Sequence, residues 1–475
     1  MSHETRGAHR QATFGAVFAS AEYRALYAAS ALSWIGDYLA KAAVTALVYR
    51  QTGSVTASAA AFAISYLPWI VGGPVLAALA ERYRHRTVMI VCDVGRAALV
   101  ATVAVPHLPI AIMLVLLFGT ALLNPPFDAS RSALLPRILT GDRFVLGIAI
   151  QNSTGQAAQI IGYVAGSALA AVQPRLALLI DAGTFVVSAV LVALVVIKRP
   201  PVLDRSQRTH LLRETAQGFK VVFGTPALRA IATTVLAAHL FTSPPEGLAA
   251  AWAGSLAAHH PAQRGLDQGM IMMATPLGYF LGGLIISRLI GPQRRRRLIR
   301  PFAILAPLTL VPALFNPPAS IVALLAALCG VCVAGMVPAG NGLFVQALPR
   351  QYRARANGVM QSGLQIAQGG AIMVTGILAA HLAIPRVVGL WSLAGFAFML
   401  VVSARWPARA EFDATIRQTR EANAAAEAAE AAGIPFRPPA ANPTPAVNPT
   451  PTSGPVSGPV SGPVKGTSMH TAESL

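Results

Sequence analysis

Charge is what this sequence is shortest of. Only 12% of its 475 residues are Asp, Glu, Lys or Arg, against roughly 25% in an average soluble chain. With 54% hydrophobic residues and a mean hydropathy of +0.57, too little polar material remains to cover a water-exposed surface. The composition is that of a membrane protein. Lysine is nearly absent (Lys41, Lys198, Lys220 and Lys465), and none follows the glycine-rich loop with which a P-loop ATPase cradles phosphates. Any work done by the chain must draw on another protein's ATP or on an ion gradient.

Cysteine is scarce too. Cys92, Cys329 and Cys332 all sit in apolar runs. Cys329-Gly-Val-Cys332 has C-x-x-C spacing, but no second pair or nearby histidine completes a metal site, so helix packing is the expected role. His259-His260 are two adjacent histidines and by themselves make no metal site. No metal and no cofactor is expected. Nor does any His/Asp/Ser cluster gather near one membrane face, as an acyl or phosphoryl transferase would require, so the chain does not read as an enzyme. The opening "MSHETRGAHRQATFGAVFAS" has neither the charged and apolar regions nor the cleavage site of a secretory leader. The first apolar run is therefore expected to stay as a membrane anchor.

The net charge of +19 does not point to nucleic acid, because the arginines fall in short breaks between apolar runs. A hydrocarbon layer about 30 Å thick needs roughly 20 apolar residues per helix. Runs that meet this lie near 25–49, 57–80, 87–105, 109–127, 147–172, 176–197, 228–250, 266–288, 300–316, 319–346, 357–382 and 386–404. The seventh is interrupted by Pro244-Pro245 and the ninth is short. Alternate breaks are rich in arginine: Arg82, Arg84 and Arg86; Arg131, Arg137 and Arg143; Arg294–Arg297; Arg350, Arg353 and Arg355. The opposite breaks offer Arg50, Arg175, Arg264 and Arg386. By the positive-inside rule, both termini face the cytoplasm of a cell membrane.

The expected organisation is a cytoplasmic segment 1–22, a six-helix bundle 23–197, a basic linker 198–226 with an amphipathic surface helix, a second six-helix bundle 227–405, and an Ala/Pro-rich tail 406–475. In the tail, "ANAAAEAAEAAG" reads as a solvated helix, and the repeated "NPTP" and "SGPV" cannot pack a core. The fold class is all-α, with twelve transmembrane helices in two pseudo-symmetric bundles.

Three landmarks recur about 210 residues apart, the signature of a duplicated unit. Gly72-Gly73 returns as Gly282-Gly283, and "LPR" at 135–137 returns at 348–350. The heptad "STGQAAQ" at 153–159 returns as "SGLQIAQ" at 362–368. Gln156 and Gln159 share one helix face, as do Gln365 and Gln368. Lipid penalises amides, so these faces turn to protein or to a wet cavity. Two readings stand: hydrogen bonds joining the halves, or a cavity lining that meets cargo. Gln151 and Asn341 are further lining candidates.

The stretches "ALYAASALSWIGDYLAKAAVTALVYRQTGS" and "LPWIVGGPVLAALAERYRHRTVMIVCDVGRA" resemble the first helix and the post-helix-two signature of the major facilitator superfamily, in its drug-efflux branch related to enterobactin and macrolide exporters. The resemblance covers about 25–405. In the family's loop an acid and basic residues form a cytoplasmic latch; here the positions are Glu81, Arg82, Arg84 and Arg86. Ala77 stands where the family has glycine, and Glu81 is one methylene longer than the family's aspartate. Of the helix-five antiporter motif only "GYVAG" is present, with Tyr163 at the proline position. The resemblance implies a secondary transporter of small molecules in the lipid bilayer, exporting a moderately apolar compound against protons, with two halves rocking about a central cavity and a monomer as the working unit. Uptake or lipid flipping on the same scaffold is the alternative, and a non-transporting scaffold built around the tail is another.

Charged residues within the runs need a reason, since each costs roughly 3 kcal/mol at mid-bilayer. Asp37 and Lys41 lie one turn apart; they form a structural ion pair, or Asp37 carries protons. Asp93 and Arg96, with Asp128 and Arg131, lie toward the cytoplasmic end and are expected to brace the latch. Asp181 and Glu246 are second protonation sites or outer-rim contacts.

Overall fold

Capping residues set where the first long helices start and stop. In the computed structural model, which describes residues 13–71, 83–199, 211–257 and 260–431, the first long helix is α1 (Ala21–Thr52). The Ser20 hydroxyl accepts from the Tyr23 N–H at its start. It ends at Gly53, whose left-handed backbone (φ 63°) lets its N–H reach the Tyr49 carbonyl at 2.8 Å. Ser54 then caps α2 (Val55–Ala63), and α3 (Leu67–Val71) continues it. The first half is completed by α4 (His85–Val103), α5 (Ile110–Leu122), α6 (Asn124–Ile138), α7 (Asp142–Val172) and α8 (Pro174–Val195).

The linker folds as α9 (Leu211–Gly224). The second half comprises α10 (Pro226–Thr242), α11 (Pro244–Leu256), α12 (Pro261–Leu289), α13 (Pro292–Leu308) with a 3₁₀ turn Val311–Phe315, α14 (Ala319–Ala347), α15 (Arg353–Leu378) and α16 (Ile384–Ala404). A terminal helix, α17 (Arg409–Ala431), follows. Among the described residues all regular structure is helical, as expected from the sequence.

Among the described residues eight helices, counting α5–α6 and α13 with its 3₁₀ turn as one each, are long and apolar enough to cross a membrane. The segments Ala216–Gly224 and Pro226–Leu256, which meet at 101°, raise the number to nine if taken as one span. Of the twelve runs, the second ends within the undescribed residues 72–82. The third and eleventh, α4 and α15, carry Asp93 and Arg96 or Arg353, Arg355 and Gln365. Large apolar side chains such as Val115, Leu194, Leu289 and Leu324 are exposed. That outer surface is stable only in lipid.

The packing of the first half recurs in the second. Against α1 lie α7 and α8, and against α10 lie α15 and α16; α4 packs on α8 as α13 packs on α16. Among the described residues the halves meet chiefly along two seams, α7 with α12 and α2 with α15. Those pairs exchange when one half is mapped onto the other.

The terminal helix differs from its expectation. It starts at Arg409, well before the alanine-rich stretch, and one stripe of it is docked. Phe412 and Ile416 are buried, the Thr419 hydroxyl donates to the Ala347 carbonyl at 3.1 Å, and Asn423 accepts from the Arg350 N–H at 3.1 Å. Glu427 pairs with Arg350. The spacing 412-416-419-423-427 is one helix face. Residues 432–475, with both proline repeats, lie outside the described residues.

Candidate functional site

Two opposite ends orient the site. One carries Gly53 and the end of α7; the other carries the arginine-rich breaks. Toward the Gly53 end the halves touch. The Thr56 hydroxyl donates to the Gly376 carbonyl at 3.0 Å, and Gln268 on α12 donates to the Ala42 carbonyl of α1 at 2.8 Å. Gly265 and Gly269 let α12 approach α7: a Cβ on Gly269 would stand 3.4 Å from that of Ser167.

Deeper in the same seam lies the first polar cluster. Glu246, in the first turn of α11, accepts from Gln159 Nε2 at 3.1 Å and from the Tyr163 hydroxyl, both on α7 of the other half. The Pro244-Pro245 pair breaks the seventh run at Ser243 and thereby sets Glu246 at a helix start. There the unpaired N–H groups favour a carboxylate. Around it, Tyr38 packs edge-on against Tyr163 with centroids 5.2 Å apart. The Lys41 ammonium lies 5.0 Å from the Tyr38 ring centre and 5.3 Å from that of Tyr66. A cation over ring faces is partly compensated for leaving water.

The second cluster is inside the first half. Asp93 on α4 is fully buried, paired with Arg96 and accepting from the Ser188 hydroxyl of α8 at 2.6 Å. Arg96 donates to Asn124 at 2.8 Å, lies between the rings of Phe127 (4.3 Å) and Phe185 (4.4 Å), and stands 4.0 Å from Asp37. Gly36 makes room beside it. A Cβ there would collide with the Asp181 carboxylate and the Thr184 hydroxyl, so α8 can bring Asp181 next to Asp37 only because residue 36 has no side chain.

Two sequence-selected residues thus find partners other than each other. Asp37 lies against Arg96, while Lys41 turns to tyrosine rings; no Asp37–Lys41 ion pair forms among the described contacts. Arg96, paired with Asp93, also faces Asp37. Asp128 pairs with Arg131 at 3.0 Å, and the Arg131 guanidinium covers the Trp34 ring at 4.6 Å. Of the latch positions, Glu81 and Arg82 lie outside the described residues. Arg84 is the N-cap position of α4. Arg86 donates to the carbonyls of Val192 and Ala193 at the end of α8, where a cation suits the helix terminus.

Of the lining candidates, Gln159 joins the halves directly. Gln156, Gln365 and Gln368 are half-buried, Gln151 is buried and Asn341 is exposed. Sequence reading missed Ser188, Asn124, Tyr38, Tyr66 and Tyr163 as site residues. Two of these had a signal. Tyr163 continues the Gln156–Gln159 face by one turn, and Ser188 lies two turns beyond Asp181.

Comparison with known proteins agrees with this architecture. The sequence model of the Major Facilitator Superfamily matches residues 26–258 and 248–447. The chain is 24% identical over 348 residues to the multidrug efflux pump Tap of Mycolicibacterium fortuitum, covering 70% of this chain and 83% of that one. It is 26% identical over 218 residues to macrolide efflux protein A of Streptococcus pyogenes, which spans 42% of this chain and about half (51%) of that relative. Among solved structures, a variant of the nucleoside transporter NupG superposes with a TM-score of 0.61 at 15% identity, covering 82% of this chain and 99% of that one. A bacterial homologue of the lysosomal transporter Spinster, in an inward-facing and occupied conformation, gives 0.63 at 11% identity, covering 81% and 95%. At such identities these two show the fold alone.

Proposed function

The chain belongs to the Major Facilitator Superfamily, and from that premise we propose that it exports a moderately apolar organic compound in exchange for protons. It is a multi-pass membrane transporter, and its efflux-pump relatives support the outward direction. The observation that carries the coupling is Glu246. A carboxylate from one half accepts hydrogen bonds from Gln159 and Tyr163 of the other.

Placing the arginine-rich breaks in the cytoplasm puts both termini there, and puts the Gly53 end outside. The seam then closes the outer face of a cell-membrane protein. Asn152, Ser153, Asn341 and Gln361, nearer the arginine-rich end, are exposed, which suits a watery crevice open to the cytoplasm rather than lipid. In this reading the ionised Glu246 holds the outer end shut. Cargo entering the crevice competes for its donors, and the halves rock outward. A bare carboxylate is costly to bury again. Closing therefore waits for an external proton on Glu246, which is released inward as Gln159 and Tyr163 are regained. Asp37, with Arg96 and Asp181, supplies a second exchangeable position. Twelve spans, the two-bundle boundaries and a monomeric working unit complete the proposal.

A chain with 54% hydrophobic residues and only 7% aromatics suits a moderately apolar cargo better than a sugar, which would want more hydrogen-bonding side chains and stacking rings. Uptake or lipid flipping on the same scaffold is separated by direction. The test is retention of a macrolide panel in cells with and without the gene, in the presence and absence of a protonophore. Lower retention that the protonophore abolishes is expected. Retention indifferent to the protonophore overturns the coupling, and higher retention overturns the direction.

A further inference from the structure

We infer that Arg96 is a positioning residue for proton exchange at Asp37, and that Asp93, anchored by Ser188, sets how much of its charge Asp37 receives. The inference rests on the proton-coupled reading above. Its support is the unequal freedom of the members of one buried cluster.

Arg96 is fixed. Its guanidinium lies between two rings, at 4.3 Å from Phe127 and 4.4 Å from Phe185, with Nη1 bonded to Asn124 and Nη2 paired with Asp93. Asp93 is fixed too, with no exposure and a 2.6 Å bond from Ser188. Neither side chain has water to retreat to. Asp37 is different: its side chain is 22% exposed, against 3% for Arg96, and it stands 4.0 Å from Nη1. That is too long for a hydrogen bond and short enough for a strong Coulomb interaction away from bulk water. Asp37 is thus the member that water can reach, tuned by a cation it does not hold. Arg96 Nε is buried with no partner, so the guanidinium has a donor to spare.

The other charged groups facing Asp37 do not replace Arg96 in this role. Lys41, on the same helix, is turned over Tyr38 and Tyr66. Asp128 is paired with Arg131. Asp181 packs against Gly36 and is hydrogen-bonded by Thr184; being an acid, it competes with Asp37 for the same positive charge. A pair whose only duty was to neutralise Asp93 would need no approach to the water-accessible acid on α1.

The test is an infrared titration of the purified full-length protein in lipid nanodiscs, without cargo. The Asp37 protonated-carboxyl band is identified by its loss in Asp37→Asn. In Arg96→Met the pH at which this band disappears should rise by about one unit or more, because a nearby cation is gone. In Asp93→Asn it should fall by a similar amount, because Arg96 then gives its full charge to Asp37. Arg96→Lys should remain within a few tenths of wild type. A packing defect moves both variants the same way; opposite displacements are the signature expected here. Equal-sign shifts, no shift in either variant, or a wild-type protein with no Asp37 band each overturn the inference. Protonophore-insensitive export would instead overturn the coupling reading and leave this titration unchanged.

Discussion

At the scale of single residues, transport depends on polar atoms that lipid does not tolerate unpaired. Glu246→Gln keeps the size and one acceptor but removes the charge that Tyr163 and Gln159 answer. Gradient-driven transport in inverted vesicles should fall by more than about tenfold, while energy-independent exchange of labelled cargo persists. Loss of both would make Glu246 structural only. Gly36→Val drives a branched side chain into Asp181 and Thr184. Overpacking of this kind costs about 1–3 kcal/mol, so detergent melting temperature and transport should both drop; a variant as stable as wild type would contradict the tight α1–α8 contact. The sequence showed which intramembrane residues needed partners, but not which partners they take. Asp37 and Lys41 are a natural i,i+4 pair by spacing, yet α4 brings Arg96 to 4.0 Å from the acid and α8 packs Asp181 against its neighbour Gly36. Helical periodicity carries no information about a neighbour some 60 or 140 residues away.

At the scale of elements, apolar runs were legible because lipid demands them, and breaks were legible because arginine and proline mark them. Two of the runs, α4 and α15, have a diluted apolar signal: α4 carries the site residues Asp93 and Arg96, and α15 carries Arg353, Arg355 and Gln365. The terminal helix shows a different limit. Its alanine-rich half is obvious in composition, whereas its docked half rests on a sparse stripe, Phe412, Ile416 and Thr419, that reads as ordinary polar sequence. Removing residues 432–475 should leave melting temperature and export unchanged. Phe412→Ala should destabilise the arginine-rich end by about 3 kcal/mol, seen as faster proteolysis of α17. If that deletion abolishes export, the scaffold reading regains its place. The linker helix α9 is held to α15 by Gln217, which accepts from Arg355 at 2.7 Å, so a connection read as a surface helix is also tied to the second half.

At the scale of the whole molecule, the repeated heptads announced a duplication, and the recurring packing of α1/α7/α8 and α10/α15/α16 is its three-dimensional counterpart. The two copies have diverged in use. The Gln159 face meets Glu246 across the seam, whereas on the related face of α15 Gly369 packs against Tyr66, so closely that a Cβ on residue 369 would stand 2.9 Å from that of Tyr66. The repeat alone could not reveal that asymmetry, because it lies in the partner, α11, whose Pro244-Pro245 break has no equivalent in α1. The central claim is that the α7–α12 seam opens and closes once in each transport cycle. Ser167→Cys with Gly269→Cys tests it directly, since the two Cβ positions are 3.4 Å apart, close to disulfide geometry, and the native cysteines are buried. Oxidation should stop export completely and a reductant should restore it. Undiminished export with the bridge fully formed would show that this seam never parts, and the alternating mechanism proposed for the molecule would be wrong.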